Sequence, residues 1–352
     1  MAHEKKASSP ETFHVSGLDE WRQALHNTGR RPLLTHLNAD TTWLIQIPRP
    51  TQISRPPQVR THFNILIDPW LQGPQSDVAW WFSTQWHVVA SSVDTLAKLN
   101  EIIYQLEQPG ANRETSSEGG HNMIDVVVIS HEFTDHCHQA TLQELPKSTP
   151  VIATDIASDL IRSWGHFDTV VTAPGLEKDA PWTSLKHVCS CLPDWLAIGR
   201  VVTPGNSLYY HSAILIAFDL CDDGEQQRDL GEAVIYSPHG ISGEDLAFVP
   251  SSGVKTLALL HGLHDVSIWM TKQLNLGALN GIRAVEASRA RYWIATHDEI
   301  KKGGGFIAPL LRRVQYTPQQ AIEYERKRLQ DECDLPTYTF KELGSGDGLI
   351  LR

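Results

Sequence analysis

The sequence predicts a layered α/β protein, and three observations predict it. MIDVVVIS at 123–130 is a short β-branched run of the kind that fills a parallel strand buried on both faces. PVIAT at 150–154, a helical stretch through Ile161 and TVVTA at 169–173 continue in a strand–helix–strand rhythm. From 185 to 220 the pattern changes to alternating strands, with LYYHSAILIAFDL at 208–220 the longest, which indicates a second antiparallel or mixed sheet. The 352 residues are 41% hydrophobic, enough for a sizeable core. We expect a flexible tail over 1–15 and one large domain with insertions over 16–352.

Taken in order, LDEWRQAL at 18–25 reads as a short helix and TTWLIQI at 41–47 as a strand that runs into the Pro-rich IPRPTQISRPPQVR. FNILIDPW at 63–70 is the next strand and ends in Asp68 and Pro69. The following segment holds Trp70, Trp80, Trp81, Phe82 and Trp86. These rings either form a satellite core or line a pocket for an apolar or planar ligand. VDTLAKLNEIIYQLE at 93–107 has helical spacing and stops at Pro109-Gly110, before a polar loop reaching to 121. A helix is expected to begin near Thr134, with Leu142 and Leu145 on its apolar face. EAVIYSPHG at 232–240 and KTLALLHGLHD at 255–265 are strands ending in polar residues, and GIRAVEASRA at 281–290 is a helix leading to RYWIATHDE at 291–299. TPQQAIEYERKRLQDE at 317–332 reads as a helix with Thr317 as cap and Pro318 in its first turn.

Composition narrows the function classes. Thirty Lys and Arg against 41 Asp and Glu give a net charge of −11, the wrong sign for a surface that tracks phosphates, so no nucleic-acid partner is expected. Five Cys, at 137, 189, 191, 221 and 333, are an odd number in a long chain and point to a reducing compartment without a disulfide framework. MAHEKKASSPETF lacks an apolar signal region, and no stretch approaches the roughly 18 apolar residues of a membrane span. The expected location is the cytoplasm, with no membrane partner.

The densest chemistry lies at 130–142, SHEFTDHCHQATL, directly after the β-branched run. In layered α/β proteins the carboxyl ends of strands are where ligands and catalysis gather. Three strands end on a histidine, before His131, His239 and His297, and Asp135-His136 adds a carboxylate and a further imidazole. Neutral imidazole and carboxylate suit Zn²⁺, with Fe²⁺ or Mn²⁺ as alternatives.

On these residues the chain resembles the metallo-β-lactamase superfamily over most of 35–300. That family has a strand ending in Asp, an HxHxDH motif after a buried strand, then a His, a bridging Asp and a final His, on a four-layer αββα sandwich of two mixed sheets flanked by helices. Asp68 in ILIDPW looks like the first of these, SHEFTDH supplies His131, Asp135 and His136 of the second, and His297 in IATHDE looks like the last. Phe133 stands where the motif has its second histidine, the third-element histidine is unclear between His187 and His211, and His239 in YSPHG takes the place of the bridging Asp. The stretch resembles still more closely an uncharacterised subgroup with an Asp-His-Cys-His run and a later Pro-His-Gly. The resemblance implies one metal ion on Asp135, His136, His239 and His297, Asp68 orienting behind the ligands, and Phe133 where a second ion would lose its ligand.

The expected activity is metal-dependent hydrolysis of a small apolar or aromatic ester, lactone, lactam or thioester, with His131 and Asp135 as catalytic residues. Phe133, Trp70 and Trp81 are the candidate substrate pocket. Alternatives are a non-hydrolytic metal enzyme (isomerase, lyase or iron oxygenase) and a binding protein that has lost catalysis. With 17 His in the chain most are bystanders, and His36, His62, His87, His166 and His187 read as structural or exposed. His138 reads as a hydrogen-bonding neighbour of the ligands more than a ligand. His261 and His264, with Asp265, are the strongest competing set. Cys137 reads as a small buried hydrophobe. Lys301, Lys302 and the glycines at 303–305 read as a flexible loop.

Overall fold

A computed structural model describes residues 11–27, 29–50, 60–77, 79–107, 121–202, 209–220, 230–268, 272–306, 308–329 and 338–352. Two mixed sheets dominate. The first, in spatial order, is β1 (Thr12–His14), β20 (Asp347–Ile350), β2 (Leu33–His36), β3 (Trp43–Pro48), β4 (His62–Ile67), β7 (Val126–Ile129), β8 (Val151–Ala153) and β9 (Val170–Thr172). It is antiparallel as far as β4 and parallel from β4 to β9. The second is β10 (Leu196–Val201), β11 (Ala213–Phe218), β12 (Gly231–Ser237), β13 (Val254–His261), β16 (Tyr292–Ile294) and β19 (Thr339–Lys341), with β12, β13, β16 and β19 parallel.

The side-chain period of two sorts each strand between two cores. Trp43, Ile45 and Ile47 of β3 face the second sheet and pack with Ile214, Ile216, Val234, Tyr236, Leu260 and Ile294. Leu44, Leu66, Val127 and Ile129 point the other way, against α1 (Leu18–Asn27), α2 (Leu96–Glu107) and α4 (Asp155–Ser163) through Trp21, Leu99, Ile103 and Ile161. On the far side, Leu215, Ile235, Leu259 and Trp293 pack against α5 (Gly243–Leu246), α6 (Ala278–Ser288) and α7 (Pro318–Arg328) through Leu246, Ile282, Val285 and Ala321. The result is a helix–sheet–sheet–helix sandwich, the four-layer α/β class expected from the sequence. Covering both sheet faces is why whole strands such as LAIGRV and AILIAF are buried end to end.

Two smaller sheets stand outside the sandwich: β5 (Gln75–Asp77) and β6 (Ser83–Trp86) with β17 (Lys302–Gly304), and β14 (His264–Ile268) between β15 (Lys272–Asn275) and β18 (Leu311–Gln315). Several expectations shift here. Of LYYHSAILIAFDL, Ala213–Phe218 form a strand, which is six residues long like its neighbour β10. The helix expected near Thr134 is α3 (Gln139–Leu142), delayed because residues 131–138 are turns and His138 serves as its cap. Helix α7 is capped as expected, with Thr317 and Gln320 forming a reciprocal capping box ahead of Pro318. Of the expected tail, residues 1–10 lie outside the described residues, whereas Thr12–His14 pair with β20. The polar loop at 108–120, Cys221 and Cys333 also lie outside them. No helix among the described residues is long and apolar enough to cross a membrane.

Candidate metal centre

The carboxyl ends of β4 and β7 in one sheet meet those of β12 and β16 in the other, and five side chains converge there. The ligand-capable atoms of His131, His136 and His239 lie within 4.8 Å of one another, as do those of Asp135, His136 and His297. His136 belongs to both groups. All five side chains are buried, from 0% exposed for His136 to 8% for Asp135.

Three of the imidazoles are oriented in the same way. His136 donates its Nδ1 proton to Asp68 Oδ2 at 2.6 Å, His239 donates its own to the Leu274 carbonyl at 3.0 Å, and His297 donates to Asp40 Oδ1 at 3.1 Å. A carbonyl or carboxylate can only accept, so each ring carries a proton on Nδ1 and, in its neutral form, keeps a lone pair on Nε2. Outer partners of this kind fix the tautomer and heading of metal-binding histidines. The Nε2 atoms of His136 and His239 are 3.2 Å apart, and Asp135 Oδ1 is 3.7 Å from His136 Nε2. Two nitrogens held tetrahedrally at about 2.0–2.1 Å from one ion lie roughly 3.3 Å apart. The donor set, its spacing and its tautomers therefore fit a divalent ion.

Asp68 is the hub behind the ligands. It is fully buried and accepts from the Ser130 amide and hydroxyl, His136 and the Tyr236 hydroxyl, which reaches across from the opposite sheet at 2.8 Å. Its backbone is left-handed, with φ of 42°, and that of His297 is also, at 58°. Side-chain-bearing residues hold this conformation at a cost of order 1–3 kcal/mol each and do so mostly at functional sites. Here both are strand-end turns that aim a side chain into the centre.

Burial tends to raise the Asp135 carboxyl, but Lys301, His136 and His297 beside it hold it well below the usual carboxylate range. Burial, with neighbouring imidazoles, pushes His131 and His239 well below the ordinary histidine value, and burial lowers His297. Burial opposes charge on His136 too, yet Asp135 and Asp68 outweigh it and the ring is raised.

His131 differs from the other three: neither ring nitrogen has a hydrogen-bond partner among the described residues. Its ring lies 3.9 Å from that of His136, 4.3 Å from His239 and 4.9 Å from Phe133, centre to centre.

The centre forms the floor of a cavity of about 260 Å³ whose walls come from the two small sheets. Phe82, Phe133, Val266, Ile268, Leu274 and Leu311 supply its apolar lining, with Lys272 and Arg313 among its charged groups. Of the three pocket residues expected from sequence, Phe133 lines it. Trp70 does not: its ring is fully buried, 3.7 Å from that of His87 and tilted by 31° to it, and it donates to the Gly73 carbonyl. Trp81 does not either, being 58% exposed and outside the cavity lining. The aromatic segment thus splits between core, cavity wall and surface.

The competing histidines are committed elsewhere. His261 bonds the Gly262 carbonyl and Asn280, and His264 accepts from Arg313. His138 caps α3 through Thr141 instead of hydrogen-bonding to the ligands, because its ring turns toward Trp70. His211 bonds the Leu274 carbonyl, and His187 pairs with Asp194 at the surface. Burial pushes the Cys137 thiol far up, so it stays protonated, as suits a small core residue.

Two residues of the centre were missed in the sequence. Asp40, in the turn before β3, orients His297. Lys301 places its Nζ 2.6 Å from Asp40 Oδ2 and 2.8 Å from Asp135 Oδ2. Neither stands in a motif or a periodic pattern, and Lys301 sits beside Lys302 and three glycines in what reads as a loose loop.

The αββα sandwich with histidines and aspartates at the facing strand ends is the metallo-β-lactamase fold, and its strand-end cluster is a possible metal site. Solved structures agree on the fold. An isothiocyanate hydrolase from Delia radicum gut bacteria aligns with 91% of this chain and 99% of its own, at 15% identity and a TM-score of 0.51. A possible metal-dependent hydrolase from Veillonella parvula aligns with 91% of this chain and 100% of its own, at 14% identity and a TM-score of 0.52. No protein-family model matches the chain, and no curated protein matches it in sequence.

Proposed function

We propose that the protein is a metal-dependent hydrolase of a small, largely apolar ester, lactone, lactam or thioester. The observation that carries this reading is the set of three Nδ1-anchored imidazoles from separate strands, aimed with Asp135 at the floor of an apolar-walled cavity. Asp135, His136, His239 and His297 would hold one Zn²⁺, with Fe²⁺ or Mn²⁺ as alternatives. When bound, such an ion supplies a Lewis acid and lowers the pKa of water towards neutrality.

The chain's own residues supply the rest. Asp68, Asp40 and the Leu274 carbonyl keep the imidazoles in register, and Asp135 is held ionised as a ligand at the floor. His131 is uncharged and buried, and neither ring nitrogen has a hydrogen-bond partner among the described residues, so beside the cavity floor it can accept a proton or a hydrogen bond. Phe82, Phe133 and Leu311 exclude water and receive the apolar part of that substrate.

The test is an elemental analysis of the purified protein together with a panel of activated esters, lactones, lactams and thioesters. We expect about one equivalent of metal, turnover lost to a chelator, and turnover restored by Zn²⁺. A fully loaded protein inert across the panel would refute the hydrolase, and stoichiometric iron would shift the reading to non-hydrolytic chemistry.

A further inference from the structure

The small sheet of β15, β14 and β18 gives the cavity a wall that is apolar in the middle and positive on both sides. Val266 of β14 stands opposite Arg313 of β18, and Ile268 lies between Leu311 of β18 and Lys272 of β15. Residues directly opposite each other across antiparallel strands share a face, and all five of these side chains line the cavity.

Neither cation is neutralised by the chain itself. Lys301, the third cation of the lining, is sealed between Asp40 and Asp135, but among the described residues Arg313 and Lys272 have no carboxylate partner. Asp77, on the opposite wall, accepts from the Thr134 amide and hydroxyl. Arg313 is also aimed. Its Nη1 donates to His264 Nδ1 at 2.7 Å and lies 3.5 Å from the Asp298 carbonyl, next in the chain to His297. Burial, with this guanidinium beside it, pushes His264 down to about 4, so the ring is a neutral acceptor. The other edge of the guanidinium, Nε and Nη2, has no partner among the described residues. Two parallel N–H groups on such an edge match the two oxygens of a carboxylate. Lys272 holds its ammonium 5.4 Å from the Tyr210 ring centre, and that ring in turn neighbours Phe133 and His239. With a net charge of −11 the protein repels anions in general, so two unneutralised cations on one cavity wall are a local exception that selects for one.

Resting on the reading of this cavity as the substrate site, but not on hydrolysis, we propose that the wall is a carboxylate subsite. The substrate then has an apolar body and one carboxylate, which Arg313 receives through its Nε and Nη2 edge while Lys272 adds a second, less directed positive charge.

The test is calorimetry on the protein as purified, which reads binding and no turnover, with phenylpropionate, phenylbutyrate and phenylhexanoate, each beside its primary amide. At least one acid should bind about tenfold or more tighter than its amide, as a charge-assisted pair provides. Arg313→Met should bring acid and amide to within about twofold of each other, Lys272→Met should reduce the preference by only about two- to threefold, and Leu311→Ala should weaken both ligands alike. Carboxylates also bind metal ions, so the series is repeated after chelation, where the preference should persist. A preference that vanishes with the metal and survives Arg313→Met would overturn the proposal, as would acids that bind no tighter than their amides or not at all. Should Arg313→Met not fold by circular dichroism, Arg313→Gln takes its place with the same loss expected. A clear acid preference in a loaded protein that turns over no ester, lactone, lactam or thioester would refute hydrolysis and leave the subsite standing. Turnover without that preference would refute the subsite alone.

Discussion

The two corners of the centre are built differently. At the corner of His136, His239 and His297, every imidazole is anchored through Nδ1 to a carboxylate or carbonyl. At the corner of His131 and Phe133, the imidazole is boxed in by rings and hydrogen-bonded to nothing described. Anchoring fixes both tautomer and direction, which a metal ligand requires. A ring free at both nitrogens keeps either available, which suits contact with a changing partner such as a substrate.

The largest test of this contrast is His136→Ala, which removes the nitrogen common to both groups. Metal content should fall below detection in elemental analysis, with at least ~100-fold weaker Zn²⁺ affinity. Asp68→Asn comes next. It leaves the ligands in place but loosens His136, and Zn²⁺ affinity measured by competition with a chelator should drop about 10–100-fold. His131→Ala should change affinity by less than about tenfold while lowering kcat. If it loses metal as completely as His136→Ala, the two corners are one site and the contrast collapses.

Acidity sharpens the same comparison. Metal binds the deprotonated ring, and His136 is raised above its ordinary value of 6.5 by Asp135 and Asp68. Its proton competes below that raised value, so Zn²⁺ affinity should climb with pH through and above 6.5 and then level off. Calorimetry in buffers of differing ionisation enthalpy would show the released proton, and a pH-independent affinity from 6 to 8 would contradict the assignment. The smallest effect separates wall from surface: Phe133→Ala should raise KM several-fold, while Trp81→Ala should leave KM and stability within about 0.5 kcal/mol of wild type.

Much of this was legible in the sequence. The β-branched runs and the strand–helix rhythm give the layers, because period and burial follow directly from residue type. Asp68, Asp135, His136, His239 and His297 could be singled out because histidines follow recognisable strands and because the motif resembles that of the metallo-β-lactamase superfamily, and the fold brings the five together. Asp40 and Lys301 could not, since a charge in a loop looks the same whether it is solvated or sealed between carboxylates. Trp70 and Trp81 fall in a segment whose aromatic density is plain, but density does not say which ring turns inward. His138 follows the motif so closely that only the cap of α3 shows where it points.

The cavity walls belong to neither main sheet. One comes from 75–86 joined by 302–304, the other from 264–275 joined by 311–315, and both stand outside the sandwich that holds the ligands. The appendages also touch the scaffold, because the Leu274 carbonyl holds His239 and Gln75 and Asp77 hold Thr134. Only the apolar wall side chains can be exchanged to admit a longer, more polar or more bulky guest while those contacts are kept. That makes Phe82, Ile268 and Leu311 the places to begin if the protein is to be given a new substrate.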